Sequence, residues 1–186
     1  MFKGTTEIYF KKLGKLLSTI DQEQIDAAVQ VVYDAWQRGS QIITLGNGGS
    51  SMTALHFITD WNKSVFMSSG KPFMGRSLVD NMGLLMAYAN DISFQDVFVE
   101  QLKNVLRPND LVIAISGSGN SENVLRAVKY ANEHQAVTLG LVGYDGGKLK
   151  SMAKHLLWAN VHDMQLSEDI HAIFGHIVMQ RLCQRT

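Results

Sequence analysis

Two pairs of residues, each a histidine and a carboxylate, carry the side chains best suited to acid-base or metal chemistry. His56 and Asp60 are four residues apart, so on a helix they share one face. Glu168 and His176 are eight residues apart, which corresponds to about 12 Å of helix rise and an angular offset of about 80°. One helix therefore cannot easily bring both to one atom. If they serve one kind of site, we expect them to reach it from different subunits.

These side chains suit two kinds of chemistry. His56, Asp60, Glu168 and His176 are the ligand types that a divalent transition metal such as zinc prefers. They equally suit a metal-free isomerase. In such an enzyme a base moves a proton between adjacent carbons of a sugar phosphate, and a second group transfers protons to and from the sugar oxygens. An ordinary surface pair is the alternative for His56 and Asp60. We interpret His171 as a surface residue or as one that supports the site residues without contacting the ligand.

Two loops rich in glycine and serine each follow an apolar run and precede a helical pattern, GNGGSS at 46–51 and SGSGNS at 116–121. Glycine lets the backbone approach an anion, a helix N-terminus offers free N–H groups, and serine adds donors. The expected ligand is phosphate. The first loop fits neither nucleotide pattern, because no lysine follows its last glycine and its glycine spacing differs from the dinucleotide fingerprint. Tight connections are the alternative, with Asn120 or Ser121 as a helix cap.

The loops must be positioned by alternating strands and helices. Two helices, around 8–17 and 25–36, form a predicted hairpin, with Asp21 and Gln24 in capping-box positions and Gly39 at its end. Strands are predicted at 41–45, 74–78, 111–115, 137–142 and 155–159, and helices at 51–62, 80–89, 93–106, 121–132, 147–153 and 164–181.

This alternation predicts an α/β fold, a parallel sheet flanked by helices in three layers with an N-terminal helical hairpin. In such sheets ligands bind beyond the carboxyl ends of the strands, where both loops fall. A third turn, GYDGG at 143–147, lacks hydroxyl donors other than that of Tyr144, and we interpret it as structural.

Composition narrows the function class. The chain has 186 residues, of which 46% are hydrophobic and 18% charged, so one domain is expected. Seventeen basic residues balance seventeen acidic ones, which gives no case for nucleic acid or an anionic membrane as a partner. A single cysteine, Cys183, and the absence of a signal peptide or of an apolar run of about 18 residues predict a cytoplasmic protein.

The motifs together resemble the SIS (sugar isomerase) fold. The resemblance is carried by the first loop between its strand and helix, by Asn90-Asp91, by the second loop, by the GYDGG turn and by EDIHAIFGH at 168–176. HFITD at 56–60 and EDIHAIFGH narrow the match to the phosphoheptose isomerases. The resemblance covers nearly the whole chain and implies one SIS domain over 1–186, with the helices of 1–39 packing on neighbouring subunits.

The resemblance implies an activity. Phosphoheptose isomerases convert sedoheptulose 7-phosphate to D-glycero-D-manno-heptose 7-phosphate through an enediol, and the product feeds nucleotide-activated heptose for lipopolysaccharide or capsule. The family also implies a homotetramer with active sites between subunits, zinc as a possible cofactor at one ion per site, and no nucleotide.

The resemblance implies residue roles as well. The substrate, and chiefly its phosphate, would be held by the two loops. Asn90 and Asp91 would contact the sugar, and His176 would be an acid-base residue beside Asp60 and Glu168. The loop residues are Asn47, Gly48, Gly49, Ser50, Ser116, Gly117, Ser118 and Ser121.

Two positions depart from the family, which usually has Glu where this chain has Asp60 and Gln where it has Glu168. Either carboxylate is therefore a candidate base. Two carboxylates with two neutral imidazoles would give a charge of minus two, which matches a divalent cation. The alternatives are an isomerase of a different ketose phosphate and a non-catalytic SIS-domain protein that senses a sugar phosphate or binds a protein partner.

Overall fold

A computed structural model describes residues 4–184 and begins with the predicted helical hairpin, α1 (Thr5–Thr19) and α2 (Gln22–Arg38). The Asp21 side chain caps α2 by accepting a hydrogen bond from the backbone N–H of Gln24 at 3.0 Å. The Gln24 side chain does not complete a capping box. Its Oε1 instead accepts the backbone N–H of Trp158 at 2.6 Å, which ties the hairpin to the last strand of the sheet.

Five parallel strands form one sheet in the order β2-β1-β3-β4-β5. All five predicted strands are present, with bounds that differ from the prediction by at most one residue. They are β1 (Ile42–Gly46), β2 (Gly75–Ser77), β3 (Leu111–Ser116), β4 (Val137–Val142) and β5 (His155–Trp158).

The remaining helices lie where the sequence predicts them, with two differences. The α3 helix continues beyond residue 62 to Ser69 and ends at Gly70, whose φ is 71°. The predicted helix 93–106 is interrupted, because a short 3-10 helix at Phe94–Asp96 precedes α5. These helices are α3 (Gly49–Ser69), α4 (Met82–Asp91), α5 (Val97–Val105), α6 (Glu122–Glu133), α7 (Leu149–Met152) and α8 (Met164–Leu182).

Helix layers cover both faces of the sheet, because every residue of β1 and β3 is buried although successive side chains point to opposite faces. The predicted three-layer α/β fold is therefore confirmed. The strand order reverses between β1 and β3, and at such a switch point the loops diverge and leave a crevice at the carboxyl ends of the strands. Both glycine- and serine-rich loops begin there. Within 4–184 no helix is both long and apolar enough to cross a membrane.

Candidate active site

The first loop brings backbone close together at the end of β1. A methyl group at Gly46 would lie 2.8 Å from the carbonyl oxygen of Ser50 and 2.9 Å from that of Ile115, so only glycine fits. Gly48 has a φ of 54°, in the region that glycine favours. The α3 helix begins at Gly49. The backbone N–H of Ser51 donates to the carbonyl of Gly48 at 3.1 Å, whereas the N–H groups of Gly49 and Ser50 have no acceptor within the helix. The loop therefore presents free donors at the switch point.

The second loop gathers hydroxyl groups at the start of α6. Ser116 Oγ accepts the backbone N–H of Gly119 at 3.2 Å and lies 3.4 Å from Ser121 Oγ. Ser121 occupies the N-cap position, but its side chain makes no capping hydrogen bond. Ser118 Oγ accepts the backbone N–H of Asn120 at 3.3 Å. Capping therefore does not account for Ser121, which is half-buried at the N-terminus of α6.

The third turn supports the second loop from behind. The Gly143 N–H donates to the carbonyl of Gly117 at 2.8 Å, and the Leu149 N–H donates to that of Gly119 at 2.9 Å. A methyl group at Gly147 would lie 2.5 Å from the carbonyl oxygen of Ser118. These contacts fit the interpretation of the turn as structural.

His56, Asp60 and His176 form one cluster. His56 Nε2 lies 3.2 Å from Asp60 Oδ2 and 3.1 Å from His176 Nε2. One nitrogen or oxygen atom from each residue lies within 4.8 Å of the others. The two histidines are exposed and Asp60 is half-buried, so the cluster is open to a ligand.

Core contacts between α3 and α8 fix this cluster. The indole N–H of Trp61 donates to the carbonyl oxygen of Gly175 at 2.9 Å, one residue before His176. Gly175 packs directly on the ring of Phe57, and a methyl group there would collide with that ring. A glycine is therefore needed for α8 to approach α3 closely enough for the histidines to meet.

Glu168 lies elsewhere, against the first loop. Its Oε1 would be 2.6 Å from a methyl group at Gly49, the first residue of α3. Within one chain, three of the four predicted metal ligands come together, namely His56, Asp60 and His176, and Glu168 is not part of this group. Glu168 faces the start of α3 and His176 faces His56 about two turns further on. One chain thus brings both residues to α3, so its geometry does not require different subunits.

His171 is fully buried, which overturns its interpretation as a surface residue. Neither ring nitrogen makes a hydrogen bond of good geometry with the described residues. Burial lowers the pKa of His171 from 6.5 to about 4, and the backbone of Val142 opposes this shift only in part. The imidazole is therefore neutral at physiological pH.

Asn90 and Asp91 end α4, and the Asn90 amide donates to Asp91 Oδ1 at 2.8 Å. Both side chains are exposed in the single chain. An ion pair anchors the segment just beyond them, because Arg126 Nη1 on α6 contacts Asp96 Oδ1 and Oδ2 at 2.9 and 3.0 Å. Hydrogen bonds from Ser93 and Arg126 lower the pKa of Asp96. The segment with Asn90 and Asp91 is thus tied to the helix that the second loop opens.

Asn123, on the first turn of α6, is a site residue that sequence reasoning missed. Its side-chain amide pairs with that of Asn47 from the first loop. Its place just after the second loop was the only sequence signal.

Comparisons with known proteins agree with this architecture. Residues 8–143 match the family model described as SIS domain. A phosphoheptose isomerase of Nitratidesulfovibrio vulgaris is 33% identical over 176 residues, which cover 93% of this chain and 82% of that protein. A phosphoheptose isomerase of Campylobacter concisus is 31% identical over 180 residues, or 97% and 94% of the two chains. The solved structure of a phosphoheptose isomerase from Neisseria gonorrhoeae superposes with a TM-score of 0.88 over 98% of both chains, at 26% identity.

Proposed function

The chain belongs to the SIS-domain family of phosphoheptose isomerases, and from this membership we propose that it interconverts sedoheptulose 7-phosphate and D-glycero-D-manno-heptose 7-phosphate. The reaction is an aldose-ketose isomerisation. The observation that carries the proposal is the cluster of His56, Asp60 and His176 on the helix that the first loop opens.

The reaction needs a base and a group that relays protons between oxygens. A proton leaves the carbon next to the carbonyl to give an enediol, and a proton returns to the neighbouring carbon. We assign the base role to Asp60, because it lies within the cluster, whereas Glu168 lies at the loop. His176 then moves protons between the two oxygens. Glu168 is the second candidate for the base, because its carboxylate lies against Gly49, a proposed sugar contact.

The phosphate is assigned to the second loop. The Glu168 carboxylate stands against Gly49 and repels another anion at the start of α3, whereas the second loop offers hydroxyls at the N-terminus of α6. Anchoring the phosphate away from the reacting carbons fixes those carbons before reaction. The proposed phosphate ligands are Ser116, Gly117, Ser118 and Ser121, and the proposed sugar contacts are Asn47, Gly48, Gly49, Ser50, Asn90 and Asp91.

We further propose zinc at the cluster, because the donor set fits it. Two imidazoles and a carboxylate are zinc ligands, and ligand atoms around one tetrahedral zinc lie about 3.3 Å apart. The separations of 3.1 and 3.2 Å around His56 Nε2 match that spacing. Three protein ligands leave a position for substrate. When bound, the ion would polarise a sugar oxygen. Asp60 would then be a ligand, and the base role would pass to Glu168, the second candidate.

A homotetramer with active sites between subunits is the proposed assembly, in the cytoplasm. Two apolar surfaces support it. Within the described residues α4 buries no side chain, although it carries Met82, Leu84 and Met86, and Phe94 is also exposed close by. α1 exposes Ile8 and Phe10. Several large apolar side chains exposed on one helix are typical of a protein interface, and the first surface adjoins Asn90 and Asp91.

The test is incubation of the purified protein with sedoheptulose 7-phosphate, with identification of the product by NMR. Parallel reactions with pentose and hexose phosphates separate the heptose isomerase from an isomerase of another ketose phosphate. Each is run with a chelator and with added zinc, and light scattering gives the subunit number. Sugar-phosphate binding without turnover in any condition would favour the sensor and overturn the proposal. Product from sedoheptulose 7-phosphate would also supply a precursor for nucleotide-activated heptose.

A further inference from the structure

Asn47 and Asn123 join the two loops through a reciprocal pair of amide hydrogen bonds. Asn47 Nδ2 donates to Asn123 Oδ1 at 2.8 Å, and Asn123 Nδ2 donates to Asn47 Oδ1 at 2.9 Å. The backbone N–H of Val124 also donates to Asn123 Oδ1 at 3.0 Å. Because that atom must be an acceptor, the Asn123 amide has only one orientation in this setting.

The pair is partly buried where the two loops diverge. Asn123 is 2% exposed and Asn47 is half-buried. Asn47 lies between β1 and α3, and Asn123 lies on the first turn of α6. An amide in such a place is costly to bury without partners, so each Asn holds the other in position. The two loops therefore cannot shift relative to one another without breaking both hydrogen bonds.

We propose that Asn123 is a positioning residue that sets the distance between the two loops. This inference rests on the proposed function, in which the second loop holds the phosphate and the reacting carbons lie along α3. The span from phosphate to reacting carbon is fixed in the substrate, so the loops must keep a matching separation. A shift of about 1 Å is enough to reduce turnover strongly. The side chain of Asn47 acts through this pair, and its loop contacts the sugar through backbone groups.

A double-mutant cycle tests the proposal. Asn47→Ala and Asn123→Ala each remove both hydrogen bonds, so each is expected to lower kcat about tenfold or more. The kcat of the double variant is expected to lie within about threefold of that of the less active single variant, because either substitution alone already breaks the interaction. The inhibition constant of inorganic phosphate is expected to change less than about threefold, since the second loop itself is intact.

Asn132→Ala is the matched control. Asn132 lies on the last turn of α6, donates to the carbonyl of Met152 and accepts from Thr138, both at 2.8 Å. Its loss removes two hydrogen bonds from the same helix, so Tm should fall while kcat stays unchanged. A purely structural role for Asn123 would give this same pattern and overturn the proposal.

Two further outcomes separate this proposal from the proposed function. Effects of Asn47→Ala and Asn123→Ala that multiply in the double variant would show that Asn47 acts on the substrate independently, and the proposal would fail. If the wild-type protein binds sedoheptulose 7-phosphate without turnover, the proposed function fails. The same cycle is then measured as affinity by calorimetry, where additive losses again overturn the positioning role and coupled losses support it.

Discussion

Nε2 of His56 lies 3.1 Å from Nε2 of His176, although 120 residues separate the two in sequence. A neutral imidazole has one donor and one acceptor nitrogen, so the facing atoms either share a proton or face one cation. Both arrangements need the rings held in register. Trp61 provides this register by donating to the carbonyl oxygen of Gly175.

Loss of the cluster's acid-base groups should abolish turnover and leave the fold intact. We expect Asp60→Asn and His176→Ala each to lower kcat by about a hundredfold or more, the scale of general acid-base catalysis. Circular dichroism and Tm check the fold, since both side chains lie outside the core. Thr59→Ala, at an exposed neighbour on α3, is the control. Turnover near the wild-type value in either variant would remove that residue from the mechanism.

Zinc content should depend on three of the four predicted ligands. We expect His56→Ala and Asp60→Asn to weaken zinc affinity about tenfold or more, since each removes a proposed ligand. Glu168→Gln should change it less than about threefold, because this carboxylate lies against Gly49. The zinc affinity of each variant is measured by metal analysis after dialysis against a series of chelator concentrations. A loss in Glu168→Gln as large as in Asp60→Asn would mean that Glu168 of a neighbouring subunit completes the set.

Ser118→Ala should raise KM with little change in kcat. Its hydroxyl is a proposed phosphate ligand, and a lost hydrogen bond of about 1 kcal/mol corresponds to about a fivefold rise in KM. Steady-state kinetics give both constants. Ser151→Ala is the control, since its hydroxyl bonds only to the Lys148 carbonyl on the surface. A fall in kcat alone would contradict the anchoring role.

The sequence was sufficient for the fold because its signals are local. The alternation of apolar runs, the Asp21 cap and the loops that follow β1 and β3 depend on neighbouring residues. The interrupted helix at 93–106 shows where local reasoning failed. Ser93 Oγ donates to Asp96 Oδ2 at 2.7 Å, and such short-range bonds compete with a regular helix.

The site was only partly predictable, because which side chains meet depends on how one helix packs along another, and the sequence does not show this. The spacing of Glu168 and His176 correctly implied that they cannot reach one atom from one helix. It could not show that α8 runs beside α3 of the same chain, with Glu168 at Gly49. Nothing local to Asn123 indicates its partner, since Asn47 lies 76 residues away.

Acid should destabilise the protein through His171. Its pKa is about 4 in the folded chain against 6.5 as its ordinary value, because burial disfavours the charged form. The unfolded chain therefore binds a proton first as pH falls. The stabilisation is fully present above about pH 6.5 and is lost as pH falls towards about 4, by up to about 3 kcal/mol.

His171→Leu removes the titrating group and should flatten this part of the stability curve. Urea unfolding at a series of pH values between about 4 and 8 gives the free energy of unfolding for each variant. His155→Gln, at an exposed histidine, is the matched control for the loss of one histidine from the chain. A slope in His171→Leu equal to that of the wild type would place the acid sensitivity on other groups. Since His171 lies five residues before His176 on the same helix, a flattened stability curve together with unchanged kcat would confine its role to packing.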